Sequence, residues 1–220
     1  MFHGLIMAIL YFLGGHDPFL DGGIKITTRA LREAGSDPRV MLLLWGLKRE
    51  DAERKAAELR GAFRDLGGTA EATWPDEGVE AFARKLRDSD MVFIADGDPR
   101  TMQRALRLSG MKKLLQDYQG VIVGDAAGAM IMSLMALLPP DRYSSTYNMI
   151  LGLNLVDFCV VPHYQRAADQ YVVEASAGRI VFGIPEGSAV MYGAGILSHS
   201  GTVHMFKHGK RTILTDQLFV

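Results

Sequence analysis

The chain has 220 residues, of which 48% are hydrophobic and 22% are charged, and its formal net charge is −1. This length allows one α/β domain with a sizeable core, and the near-neutral charge gives no sign of a nucleic-acid or anionic-membrane partner. A single cysteine excludes an intrachain disulfide, which suits a reducing cytoplasm.

The first apolar run, at residues 5–13, is too short to span a bilayer, which takes about 20 residues. No Lys or Arg precedes the run and no A-x-A-like site follows it, so a signal peptide is not expected either. We interpret the run as a buried first strand that ends at Gly14-Gly15.

Short apolar runs alternate with amphipathic segments through the first half of the chain. The apolar runs predict strands at residues 6–13, 40–45, 70–74, 91–95 and 121–124. The amphipathic segments predict helices at residues 24–34, 49–66, 78–87, 100–106 and 111–118, two of which end at Gly35 and Gly67. This alternation predicts an α/β fold with a mostly parallel sheet and helices on both faces.

The second half is predicted to begin with a helix that follows Ala126 and runs to about residue 138, where Pro139-Pro140 stops it, and a polar loop at residues 141–147 comes next. A strand at residues 157–161 then leads into Pro162-His163. Glycines separate further short strands, predicted at residues 180–184, 189–192, 196–198, 203–206 and 211–215. We therefore expect a β-rich C-terminal part, with residues 1–220 forming a single domain.

The segment VIVGDAAGAM, at residues 121–130, has the strand, tight turn and helix start of a nucleophile elbow, G-x-Nu-x-G. Ala126 stands at the nucleophile position and offers no reactive atom. The small neighbours permit a sharp turn, and the helix start, with the N–H of Ala127, could stabilise an oxyanion. Taken alone the motif is weak, because small-residue turns from strand to helix are common in α/β folds.

Three more positions follow predicted strands, where α/β sheets place their ligands. His163 lies in CVVPHYQR, Glu186 in GIPEGSAV and Gly97 in IADGDPRT. The carboxylate could orient the imidazole, and the glycine could present a second oxyanion N–H. The alternatives are a hydrogen-bonded loop histidine, a turn acid and a turn glycine.

Together these motifs resemble the peptidase E (aspartyl dipeptidase) and cyanophycinase family of serine peptidases, whose fold is similar to that of class I glutamine amidotransferases. The family's G-x-S-A-G-A appears here as GDAAGA, and its G-I-x-E-G/D-[ST]-A appears as GIPEGSA at residues 183–189. The strand that ends in a Pro-His pair is also present, and the order of elements matches over nearly the whole chain.

The resemblance implies a Ser-His-Glu triad in which position 126 is the nucleophile, His163 the general base and Glu186 its orienter. It also implies an oxyanion hole formed by Gly97 and Ala127. No cofactor is implied.

The sequence departs from the family pattern near this site, and three further residues are candidates for a role there. The family's GGGN loop has become ADGD at residues 95–98, which adds acid near the oxyanion site and makes Asp98 a candidate for substrate contact. Arg166 is the cation nearest in sequence to His163 and could bind a substrate carboxylate, although a solvated surface arginine is the alternative. Asp141 is the alternative acid of the triad.

Two hypotheses account for Ala126. In the first, the chain is a small-peptide or dipeptide hydrolase whose serine was replaced by alanine through engineering. In the second, it is a natural non-catalytic relative that binds a peptide or small metabolite in the same cleft. A third hypothesis, an amidotransferase-like enzyme, ranks low because it needs an elbow cysteine, whereas Cys159 lies within a predicted strand.

The sequence also predicts the partners, the location and the metal content of the protein. We expect a small peptide substrate, no nucleic-acid or membrane partner and a cytoplasmic location, and the sequence leaves a homodimer open. The histidines are scattered without metal-ligand spacing, so no metal site is predicted.

Overall fold

The computed structural model describes residues 8–15, 17–138 and 148–215. The strands of this part of the chain are β1 (Ile9–Leu13), β2 (Arg39–Leu43), β3 (Thr69–Thr73), β4 (Met91–Ile94), β5 (Val121–Asp125), β6 (Met135–Leu138), β7 (Asn148–Leu151), β8 (Cys159–Pro162), β9 (Ile180–Ile184), β10 (Ala189–Gly193), β11 (Ile196–Ser200), β12 (Val203–Lys207) and β13 (Lys210–Leu214). The α-helices are α1 (Asp21–Ala34), α2 (Arg49–Asp65), α3 (Val79–Arg87), α4 (Pro99–Ser109), α5 (Lys112–Asp117), α6 (Ala127–Met132) and α7 (Asp169–Ala175).

A seven-stranded sheet in the order β11-β10-β1-β5-β4-β2-β3 forms the centre of the fold. Five neighbouring strands, β1, β5, β4, β2 and β3, are parallel to one another. At one edge of the sheet, β10 pairs antiparallel with both β1 and β11. Parallel neighbours present their carboxyl ends at the same edge of the sheet, so the segments that follow β1, β4 and β5 lie side by side.

Alternating side chains of the central strands pack on opposite faces of the sheet. In β1, Leu10 and Phe12 join one buried cluster, which includes residues of α3, α4, α5 and α6. Tyr11 and Leu13 join the other cluster, with residues of α1 and α2. Helices therefore cover both faces, as the predicted mostly parallel α/β sheet requires.

A second sheet, in the order β13-β12-β9-β8, forms the β-rich C-terminal part. Strands β8 and β9 are parallel, with Pro162 opposite Ile184, and the remaining pairs are antiparallel. Because β8 and β9 end together, the two segments that follow them leave the sheet at the same edge.

The predicted helix that follows Ala126 and runs to about residue 138 is wrong in its second half. Helix α6 ends at Met132, and Met135–Leu138 instead form a strand that pairs antiparallel with Asn148–Leu151. The carbonyls of Ile131 and Met132 accept hydrogen bonds from the N–H groups of Leu153 and Leu155, at 2.6 and 3.0 Å. A distant segment thus satisfies the helix end, so tertiary contacts override the helical preference of the sequence.

Other boundaries differ from the predicted ones by a few residues, as helix and strand ends usually do. Strand β7 and helix α7 were not predicted. Pro139-Pro140 and the loop at residues 141–147 lie outside the described residues. Within the described part of the chain, no helix is both long enough and apolar enough to cross a bilayer.

Candidate active site

The carboxyl ends of three neighbouring parallel strands converge at one edge of the central sheet. Leu13 at the end of β1 is in register with Asp125 of β5, and Ile94 at the end of β4 is opposite Gly124. Adjacent strands lie about 4.8 Å apart. The segments that follow these strands, which include Gly14 and Ala126, therefore meet at this edge.

Ala126 has the strained backbone that a nucleophile elbow requires. Its φ is 45° and its ψ is −106°, a conformation that a residue with a Cβ rarely adopts. The turn is tight, since a Cβ on Gly128 would lie 2.0 Å from the carbonyl oxygen of Ile94. Ala126 is 1% exposed and immediately precedes helix α6.

His163 and Glu186 form a hydrogen-bonded pair at the carboxyl ends of β8 and β9. Nδ1 of His163 lies 2.9 Å from Oε1 of Glu186. If the shared proton is on Nδ1, then Nε2 is left as a proton acceptor, which is the arrangement of a general base held by a carboxylate. The two residues therefore have the relative placement that the triad hypothesis needs.

The Gly14-Gly15 turn after β1 connects this pair to the central sheet. The N–H of His163 donates to the carbonyl of Gly14 at 2.6 Å, and the N–H of Gly14 donates to the carbonyl of Ser188 at 3.0 Å. The imidazole packs on Gly15, where an added Cβ would lie 2.2 Å from Cε1 of His163. Since Gly14 follows the residue in register with Asp125, these bonds bring the His163 loop to the strand ends beside Ala126.

The predicted oxyanion donor at the elbow is already engaged. The N–H of Ala127 donates to Oδ1 of Asp96 at 3.1 Å. Asp96 follows β4 and belongs to the ADGD loop that replaces the family's GGGN. A carboxylate thus occupies the position at which a substrate oxyanion would accept this hydrogen bond.

Asp125, immediately before Ala126, is a buried carboxyl group. It is 7% exposed, and its Oδ1 has no hydrogen-bond partner among the described residues. Burial, together with the nearby charges of Asp96 and Asp17, raises the pKa of Asp125 to about 7, while the charge of Lys55 opposes this rise. Near neutral pH this carboxyl therefore shares its population between the protonated and the ionised form.

A cavity of about 550 Å³ opens beside the elbow. Its lining includes Asp96, Gly97, Asp125 and His163, together with residues of α2. This volume is in the usual range for a small-molecule site. The cavity therefore brings one residue of the proposed triad together with two acids of the elbow region.

The remaining predicted site residues have other surroundings. Gly97 lines the cavity, and a Cβ on it would lie 2.7 Å from the backbone of Gly46. Asp98 caps α4, because its Oδ2 accepts from the N–H of Thr101 at 2.8 Å. Among the described residues that line the cavity, neither Asp98 nor Arg166 is found.

Arg166 is exposed and begins a 3₁₀ turn, Arg166–Ala168. Asp141, the alternative acid, lies outside the described residues.

The sequence profile of peptidase family S51 matches residues 36–197. The chain belongs to peptidase family S51. The match covers the elbow, the His163 loop and the Glu186 loop, and so agrees with the resemblance to peptidase E.

Two curated uncharacterized peptidases match part of the chain at under 30% identity. The chain is 29% identical over 122 residues to an uncharacterized peptidase of Listeria innocua, and the match covers 52% of this chain and 56% of that protein. It is 26% identical over 140 residues to an uncharacterized peptidase of Listeria monocytogenes, covering 59% of this chain and 66% of that protein. The chain therefore matches less than two thirds of the length of these relatives.

Solved structures show the same fold at low identity. A peptidase from an acI-B1 Actinobacterium superposes with a TM-score of 0.75 at 18% identity, covering 96% of this chain and 95% of that chain. A peptidase E-type protein from Listeria monocytogenes EGD-e gives a TM-score of 0.68 at 20% identity, covering 88% and 98%. These comparisons confirm the predicted peptidase E-like α/β architecture.

Sequence reasoning missed two contributors to the site of this S51 protein. One is the Gly14-Gly15 turn, which it treated only as the end of a strand. The other is Asp125, an acid in an otherwise apolar strand and directly before the nucleophile position. A charged residue in a buried strand is rare enough to have marked Asp125 as a functional candidate.

Proposed function

We propose that this S51 protein binds a small peptide in the cleft beside the elbow and does not cleave it, because its Ser-His-Glu site lacks the serine. The observation that carries this proposal is the contrast between position 126 and its surroundings. The strained elbow and the His163–Glu186 pair are present, yet Ala126 has no nucleophilic atom.

The reaction that a serine at position 126 would permit is acyl transfer. Nε2 of His163 would accept the hydroxyl proton while Oγ bonds to the scissile carbonyl carbon. The C=O electron pair would move to oxygen, and the resulting anion would need N–H donors such as those of Ala127 and Gly97. The leaving amine would then take the proton from His163, and water would release the acyl group by the reverse sequence.

The engagement of Ala127 favours the second hypothesis, a natural non-catalytic relative. Replacement of the serine alone would leave the oxyanion donor free, whereas here the carboxylate of Asp96 accepts from it. Two separate features, the missing nucleophile and the occupied donor, therefore both oppose acyl transfer. A peptide or small metabolite could still bind in the cavity without meeting either obstacle.

The proposal is tested by restoring the nucleophile and then freeing the donor. Ala126→Ser should give slow hydrolysis of a panel of dipeptides and aminoacyl amides, including Asp-X dipeptides. Adding Asp96→Ala should raise kcat by about 100-fold, because one oxyanion donor typically contributes that much. Asp96→Asn is the matched control, since its amide oxygen can still accept the N–H of Ala127.

Hydrolysis by Ala126→Ser should disappear when His163→Ala is added, which distinguishes the site from a contaminating peptidase. Absence of hydrolysis in the Ala126→Ser/Asp96→Ala protein, with no binding of any panel peptide to the unaltered chain, would contradict the proposal. Binding without hydrolysis would retain the peptide site and reject the triad assignment.

The remaining parts of the proposal concern partners and location. We place the protein in the cytoplasm on the strength of its single cysteine, with no nucleic-acid or membrane partner, and with a homodimer open to test by sedimentation. Asp98 caps a helix, and Arg166 is not among the described residues that line the cavity, so substrate contacts by either residue would be made outside this cavity.

A further inference from the structure

The cavity beside the elbow combines an apolar wall with an acidic end. Leu47, Leu59 and Phe93 contribute the apolar wall, and the last two are each 1% exposed. Asp96 and Asp125 contribute the acidic end. Neither acid is a fixed residue of the motifs shared with peptidase E.

The two acids differ in the hydrogen bonds that their carboxyl oxygens accept. Oδ1 of Asp96 accepts from the N–H of Ala127. Asp125 lines the cavity and is only 7% exposed, yet its Oδ1 has no partner within the described residues. A buried acceptor without a donor costs about 1–3 kcal/mol, so a donor supplied by a ligand would remove a standing penalty.

Two basic residues of helix α2 also line the cavity, and each has an acidic partner on the same helix. The charge of Lys55 also acts on Asp125. Arg54 forms an ion pair with Asp51, and Lys55 forms one with Glu58 at 3.2 Å. These two pairs balance their own charges. Asp17, Asp96 and Asp125 therefore leave the cavity with an excess of acid when Asp125 is ionised.

We propose that this cavity binds an alkylammonium group, such as the end of a lysine side chain, with Asp125 and Asp96 as its counter-charges. The apolar wall would hold the aliphatic stem, and the ammonium would donate to the carboxylate of Asp125 and to Oδ2 of Asp96. Only the statement that the ammonium belongs to a peptide rests on the proposed function. The ammonium site itself rests on the cavity.

An ammonium fits the acceptors better than a guanidinium does. A guanidinium binds best to both oxygens of one carboxylate in a planar fork, but Asp96 already has one oxygen engaged. An ammonium is a compact charge with three donors and can bridge single oxygens of two acids. Among the described residues, no group of three His, Cys, Asp or Glu side chains is arranged to hold a metal ion.

The test is calorimetric binding of the peptide Ala-Lys-Ala to the unaltered chain, which has no nucleophile to consume it. The matched probes carry norleucine, Nε-acetyl-lysine or arginine in place of lysine. We expect the lysine peptide to bind about 10- to 100-fold more tightly than the norleucine and acetyl-lysine peptides, as charge-assisted hydrogen bonds allow. The affinity of the arginine peptide should lie between that of the lysine peptide and those of the norleucine and acetyl-lysine peptides.

The variants assign the preference to the two acids. Asp125→Asn and Asp96→Asn should each reduce the lysine preference at least about fivefold, since each loses a charge and keeps its shape. Asp65→Asn is the matched control, because it removes one negative charge from an exposed side chain at the end of α2, outside the cavity. It should leave the preference unchanged.

The outcomes separate this inference from the proposed function. Equal binding of all four peptides overturns the ammonium site and leaves the peptide site standing. Binding of n-pentylamine that Asp125→Asn abolishes, with no binding of peptides, rejects the peptide function and supports the ammonium site. Tighter binding of the arginine peptide, or Mg²⁺ binding that Asp125→Asn abolishes, overturns the ammonium assignment.

Discussion

Replacing Asp125 by asparagine should change how the stability of the protein depends on pH. The carboxyl has an ordinary pKa of 3.8, which burial and the charge of Asp96 raise to about 7. Between these values the folded state keeps a proton that the unfolded state has lost, so the free energy of unfolding of the unaltered protein falls as pH rises from about 4 to about 7. Above pH 7 the loss is complete. The amide introduced by Asp125→Asn cannot ionise, so the variant lacks this loss.

The magnitude follows from the two pKa values. At about 1.4 kcal/mol for each pH unit between them, the loss amounts to about 4 kcal/mol. Relaxation of the site around the ionised carboxylate lowers this figure, so we expect a difference of roughly 2–4 kcal/mol to develop between pH 4 and pH 8. Asp17 and Asp96 raise the pKa and Lys55 lowers it, so Asp96→Asn should narrow the pH range over which stability is lost.

The assay is urea denaturation followed by far-ultraviolet circular dichroism at pH 4, 5, 6, 7 and 8 and constant ionic strength. The quantity compared is the difference in free energy of unfolding between Asp125→Asn and the unaltered protein at each pH. Asp65→Asn, on an exposed surface, should show a small difference with little pH dependence. If the difference in free energy of unfolding between Asp125→Asn and the unaltered protein stays constant across this pH range, the reasoning is refuted, because Asp125 then has an ordinary pKa.

Three further predictions concern buried or tightly packed positions. Gly15→Ala should lower kcat at least about tenfold in the Ala126→Ser background, because its φ is +92° and its Cβ would meet the imidazole of His163; unchanged turnover in a peptide assay would contradict this contact. Ser133→Ala should leave the urea midpoint unchanged or raise the free energy of unfolding by about 1 kcal/mol, because the buried Oγ has no partner within the described residues; a large loss would reveal one. Cys159 is 1% exposed and burial raises the pKa of its thiol, so a disulfide reagent should label it only after unfolding, and rapid labelling of the native protein would count against this burial.

The central sheet could be predicted because its strands carry their own signal. Runs such as Val121–Asp125 are almost wholly apolar, as strands buried on both faces must be. The error lay at Met135–Leu138, where an apolar run fits a buried helix or a buried strand equally well. The hydrogen bonds between residues 131–134 and 152–155 decide between them, and such distant pairing is not encoded in local periodicity.

The site could be predicted only in part, and for a related reason. His163 and Glu186 were identified because each lies in a motif with a fixed place in the chain, and the structure brings their side chains together. The bond from Ala127 to Asp96 spans 31 residues and depends on β4 and β5 ending side by side. The sequence shows that the ADGD loop is acidic. Only the fold reveals that one of these acids, Asp96, accepts the N–H of Ala127.

Asp96 connects the two proposals, since one carboxylate accepts the N–H of Ala127 and contributes to the electrostatic environment of Asp125. An oxyanion and an alkylammonium would make opposite demands on this residue, because the first must displace it and the second needs it in place. A site selected for acyl transfer gains from a neutral loop at this position, as in the family's GGGN. A site that retains a cation gains from the acid. The presence of Asp96 and Asp125 beside a nucleophile position that holds alanine therefore favours retention of a ligand over its cleavage.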